Sequence, residues 1–165
     1  MRILALFLLT TLVSCLDYHE GFVDSSVNYP PLIDKRYVNP QPIDTLRPIN
    51  IGSNCAGPTY QVPPISDANA SDNLYYLWFF DSKLVTSGII MPQARSSAVV
   101  SITLDRATLE NLIGAKLSTN FFGQAHLVEF FVANRQYLIP ANKYLDRDAL
   151  EDYVHWAASF TDNPC

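Results

Sequence analysis

Basic residues are few and scattered: Lys and Arg number 11 against 16 Asp and Glu, a formal net charge of −5. Phosphate backbones are held by clustered positive charge, so a nucleic-acid partner is excluded as an expectation. Histidine is rarer still. His19, His126 and His155 lie far from one another and from the three cysteines, without the close ligand spacing that zinc sites use. No serine stands in a G-x-S-x-G or S-x-x-K context, and the six glycines never phase into a nucleotide-binding loop. These absences point away from catalysis, and the enzyme that escapes them is an envelope hydrolase or processing enzyme with a site assembled from distant residues. No internal repeat or low-complexity tract divides the chain. At 165 residues, 48% of them hydrophobic, it has the size of one domain with a proper apolar core.

The first residues have an order of their own. Met1-Arg2 is followed by an uncharged run from Ile3 to Leu9, then by Thr10 to Ser14 ahead of Cys15. A charged start, an apolar middle and a small residue at the cut make a removable signal peptide over 1–14. Counted from Ile3 to Val13, the run is too short to cross a bilayer, which takes about 20 apolar residues in a helix. Leu12-Val13-Ser14-Cys15 resembles the lipobox of bacterial lipoproteins. That resemblance covers residues 1–15 and implies that the Cys15 sulfur takes a diacylglyceryl group, that a signal peptidase cuts after Ser14, and that the new amine receives a fatty acyl chain such as palmitate. Two or three chains make the anchor durable, since each buried methylene contributes about 0.8 kcal/mol and one chain holds only weakly. Leu16, rather than Asp, follows the cysteine and implies outer-membrane sorting, with the domain in the periplasm or at the cell surface.

With Cys15 lipidated, Cys55 and Cys165 remain as a pair in an oxidising compartment, and a disulfide between them is expected.

From residue 15 to 51 the composition is polar and broken by Pro30, Pro31, Pro40, Pro42 and Pro48, which reads as a lipid-anchored, extended tether. Tyr29, Leu32, Ile33 and Tyr37 could still pack on the domain, and a first edge strand fits between Thr45 and Ile51. The domain is expected over 52–165, and its signals have period two. Leu74, Tyr76, Trp78 and Phe80 share one face of an aromatic run, as do Val100, Ile102 and Leu104, then Val128, Phe130 and Val132, then Val154, Trp156, Ala158 and Phe160. All four segments read as strands. Thr59 to Val62 and Leu84 to Met91 are weaker strands. One helix fits over Ala107 to Ile113, capped by Asp105 and stopped by Gly114.

Short strands at intervals, a tryptophan on a central one and a single helix suggest a mainly β, sandwich-type fold. The segment Asp67-Ala68-Asn69-Ala70-Ser71-Asp72-Asn73-Leu74-Tyr75-Tyr76-Leu77-Trp78 resembles the B–C region of bacterial immunoglobulin-like domains of the PKD type. Gly123 to Val132 is similar to their F strand. The resemblance implies an immunoglobulin-like β-sandwich across residues 55–160 that acts by binding or assembly. Three departures stand out: the B–F disulfide of antibody domains is missing, His126 stands where such domains often place an aromatic residue, and the stretch from Gln136 to Asp152 exceeds a hairpin loop.

Two groups of side chains are candidate sites. Asp67, Asn69 and Asp72, with Ser71, place oxygens at alternating positions as calcium requires, the reading of a calcium-stabilised adhesion module. The same residue types are ordinary turn formers, and the turn is preferred. Tyr75 and Phe79 point away from the Trp78 face and are candidate contacts for an envelope protein or surface ligand. His126 reads as a hydrogen-bonded strand residue rather than a metal ligand.

Overall fold

In the computed structural model, residues 28–42, 48–143 and 149–165 are described. The signal, the lipobox and Cys15 lie outside them. Among the described residues, seven strands and one α-helix follow in order: β1 (Ile49–Asn50), β2 (Thr59–Val62), β3 (Leu74–Phe80), β4 (Lys83–Ile90), β5 (Val100–Thr103), α1 (Arg106–Ile113), β6 (Ala125–Ala133) and β7 (Glu151–Thr161). The fold is mainly β, as expected. β1-β7-β6-β3-β4 form a five-stranded sheet, and β2 pairs with β5 in a second, two-stranded sheet. Every pairing is antiparallel except that of β1 with β7.

The period-two faces become the core between these sheets. Trp78, Phe80, Val128, Phe130, Val132, Val154, Trp156, Ala158 and Phe160 meet Tyr60, Val62, Val100, Ile102 and Leu104 in one buried cluster. Trp78 and Trp156 stack at 5.7 Å between ring centroids, Phe130 lies 4.8 Å from Trp78, and Tyr60 meets Trp156 edge-on at 5.3 Å. Aromatic pairs in this range add to the area they bury. At Gly88 a Cβ would run into the Tyr76 ring. The missing side chain lets Tyr76 lie across β4 and stack on Phe130. Val85 is an extra residue on β4, because Trp78 opposes Thr86 while Phe79 opposes Leu84. Such a bulge twists an edge strand away from further pairing.

The helix obeys its caps. The Asp105 carboxylate accepts from the Thr108 backbone N–H at 2.7 Å, which holds its pKa below the usual carboxylate range. Gly114 ends the helix at φ 76°, a left-handed position that suits glycine. Leu109 is fully buried and brings the helix into the main core.

Cys55 and Cys165 form the expected disulfide, their Cα atoms 5.4 Å apart. The Asn50 side chain supports this closure by accepting from the backbone N–H groups of Gly52 and Asn163, both at 3.0 Å.

Over its described part, the stretch read as tether is the flank of the domain. Ile33, Val38 and Ile51 are in the core, Leu32 and Asn39 bridge to Ser66 and Gln61, and the Trp156 indole donates to the Pro40 carbonyl at 2.6 Å. The domain therefore reaches upstream at least to Asn28 rather than starting at residue 52. Proline-broken chain can still bury isolated side chains, and that burial leaves no periodic signature.

The long stretch after β6 also has a place. Its described residues Tyr137 and Lys143 cover the outer face of the larger sheet, where Leu77, Phe79, Ala133 and Tyr137 form a second buried cluster. Lys143 sits over Phe79 and Phe131 at 4.7 and 4.4 Å from their centroids and bonds both oxygens of Glu129 at 2.8 Å.

Candidate binding cleft

Antiparallel pairing sets Tyr75, near the start of β3, opposite Ala133, at the end of β6. The loop entering β3 and the segment leaving β6 therefore meet at one end of the sheet. Between them lies an open cleft of about 550 Å³. Ser71, Asp72 and Asn73 line one side, Asn134, Arg135, Gln136 and Leu138 the other, with Tyr75 and Asn28 completing it.

The β3 loop is shaped by its own polar groups. Asp67 Oδ1 accepts from the Asn69 backbone N–H at 2.9 Å, Asn69 Oδ1 accepts from the Tyr29 backbone N–H at 3.0 Å, and the Asp72 backbone N–H donates to the Asn69 carbonyl at 3.1 Å. The Asp67–Asn69 bond is an Asx turn, an ordinary use of these residues. Arg95, buried at 7% exposure, braces the loop from the turn after β4. Its Nη1 donates to the Asn69 carbonyl at 2.9 Å and lies 3.6 Å from Asp67 Oδ2. Burial pushes the Asp67 carboxyl up, against the opposing pull of the Asn69 N–H and Arg95. Of the residues proposed for calcium, Asp67 and Asn69 thus each turn their Oδ1 to a separate backbone donor, while Asp67 Oδ2 is buried beside the Arg95 guanidinium without a hydrogen-bond donor among the described residues. Among the described residues, no group of three or more His, Cys, Asp or Glu is placed to hold a metal ion.

The opposite rim is anchored by Asn134. Its amide donates to Asn28 Oδ1 at 2.6 Å and to the Tyr29 carbonyl at 3.2 Å, and its oxygen accepts from the Leu150 backbone N–H at 3.1 Å. A polar side chain with its capacity filled by protein is a fixed wall of the cleft rather than a free contact.

Of the two aromatic contacts expected from the sequence, Tyr75 lines the cleft and is half-buried. Phe79 is not a contact residue: it is 1% exposed and meets Phe131 edge-on at 6.0 Å beneath Tyr137 and Lys143. The correction has a plain cause. Alternation put Phe79 on the face away from Trp78, but the segment after β6 covers that face.

His126 is buried and hydrogen-bonded, as read from the sequence. Its Nδ1 lies 2.7 Å from Asp81 Oδ2 and its Nε2 2.9 Å from the Phe121 carbonyl, with its ring 4.1 Å from that of Phe121. Both ring nitrogens face protein acceptors, which leaves neither to activate a nucleophile. His155 is exposed and stacks on Tyr153 at 6.0 Å.

Sequence reasoning missed Arg95, Asn134, Arg135 and Gln136. The run Asn134-Arg135-Gln136 breaks an apolar strand abruptly, and pairing it with the Asp72 loop required knowing that β3 and β6 are neighbours. Arg95 sits in a short polar turn with no periodic signal at all.

No protein-family model matches the chain, and neither a curated protein nor a solved structure matches it.

Proposed function

We propose that this chain is the precursor of a lipid-anchored protein of the bacterial envelope, whose immunoglobulin-like domain works by contact rather than catalysis. The lipobox-like Leu12-Val13-Ser14-Cys15 carries the anchoring, and the Cys55–Cys165 disulfide supports it, since a paired disulfide fits an exported domain. A diacylglyceryl group and a fatty acyl chain on Cys15 would hold the protein on a membrane, in the resemblance's terms the outer one, with the domain in the periplasm or at the surface. Strand order supports the immunoglobulin-like reading. Taking β2 as B, β3 as C, β4 as C′, β5 as E, β6 as F and β7 as G, the larger sheet runs G-F-C-C′ beside β1, and β2–β5 forms a B–E pair with Trp78 buried on strand C.

Contact is favoured over a hydrolase because the cleft at the β3–β6 end is lined by a single carboxylate, amides, two hydroxyls and a guanidinium without a histidine or cysteine. The test is metabolic labelling with a palmitate analogue, followed by membrane fractionation. The parent protein should be labelled and sediment with membranes, and Cys15→Ser should be unlabelled and uncut or mislocalised. Equal labelling of the variant would overturn the anchoring.

A further inference from the structure

The cleft at the β3–β6 end has a composition that selects among ligands. We propose that it binds a neutral saccharide, an inference that rests on the contact reading above and names its ligand class. Asp72 and Arg135 both line the cleft and carry opposite charges, so neither a strongly anionic nor a strongly cationic ligand is selected. A carboxylate accepts only, a guanidinium donates only, and the side chains of Asn73, Gln136, Ser71 and Tyr75 do both. Sugar hydroxyls each donate and accept, and this mixed inventory meets them group by group. Leu138, 60% exposed, and the Tyr75 ring offer apolar surface for the C–H face of a pyranose.

Geometry argues against an extended peptide at the same place. β3 is paired on both sides, by β4 and β6, and β6 by β3 and β7. The cleft therefore offers no free strand edge for the main-chain ladder on which strand addition depends. Recognition there falls to side chains. The rims are also preset: Asn73 directly precedes β3, Asn134 directly follows β6, and the hydrogen bonds of Asn134 and the Arg95 brace on Asn69 fix both loops. A preorganised rim lowers the ordering cost of binding.

The experiment uses the full chain in detergent micelles, titrated by calorimetry with three probes: maltotetraose, tetra-N-acetylchitotetraose and the neutral peptide tetra-alanine. One or both saccharides should bind and the peptide should not. Asp72→Ala and Arg135→Ala should each weaken that binding at least tenfold while leaving the circular dichroism spectrum and ligand-free thermal midpoint unchanged. Peptide binding in preference to both sugars, saccharide binding that neither variant weakens, or no saccharide binding by folded protein would each overturn the inference. A photocrosslinker at Leu138 in cells separates the two levels. A protein adduct without saccharide binding removes the ligand class and leaves the contact reading standing, whereas no adduct and no saccharide binding removes both.

Discussion

Trp78 and Trp156 allow one interaction to be isolated from the rest of the core. Both are fully buried and they stack on each other, so replacing either with phenylalanine removes the same atoms from the same core. Their polar ends differ. The Trp156 indole donates to the Pro40 carbonyl at 2.6 Å, whereas the Trp78 indole N–H is buried and meets no hydrogen-bond acceptor among the described residues. Trp156→Phe should therefore lose a hydrogen bond, a net ~0.5–1.5 kcal/mol, while Trp78→Phe relieves a buried unpaired donor whose burial costs ~1–3 kcal/mol. The transfer and cavity contributions cancel in the comparison. Trp156→Phe should be the more destabilising by about 1.5–4.5 kcal/mol, at least tenfold in the folding equilibrium. Urea unfolding of the two variants with the disulfide intact, followed by far-ultraviolet circular dichroism, measures the difference. Equal losses, or a larger loss at Trp78, would refute the reasoning.

Other consequences are open to simple measurement. Asp105→Ala should cost about 1 kcal/mol at neutral pH through loss of the helix cap. The Thr108 N–H holds the Asp105 carboxyl below the usual range, so this contribution is present above the unfolded value and lost as pH falls through the lower folded one. Parent and variant should therefore differ fully above ~pH 5 and converge in strong acid, and a gap independent of pH would contradict the cap. Because Asp67 and Asn69 already serve backbone donors beside Arg95, millimolar calcium should leave the thermal midpoint where chelator leaves it. A rise that disappears in Asp67→Ala would instead support the calcium module.

What was legible in the sequence follows from which interactions are local. The inward faces of the four main strands could be read because alternation places Leu74, Trp78, Phe130 and Trp156 on one side whatever the partner strand is. Asp105 and Gly114 mark the helix because caps act within three or four residues. The disulfide followed once Cys15 was set aside as the expected lipidation site, which leaves Cys55 and Cys165 to pair. Other features depend on strands far apart in the chain. Ile33 and Val38 are buried by proline-broken chain without a period, so the domain begins upstream of its first periodic strand. Phe79 faces outward from the sandwich but inward to Tyr137, which enters from 58 residues on along the chain. The cleft is legible in part: Asp72 and Tyr75 were singled out, but Arg135 and Gln136 gain their meaning only once β3 and β6 lie side by side.

The central claim, an exported domain closed by its own disulfide and held by lipid on its first mature residue, is tested most directly by mass spectrometry of the protein extracted from membranes without reductant. The account predicts an N-terminal peptide beginning at Cys15 with diacylglyceryl on its sulfur, together with a Cys55–Cys165 linked peptide. A mature N-terminus elsewhere, or a free Cys15 thiol on membrane-bound protein, would contradict it.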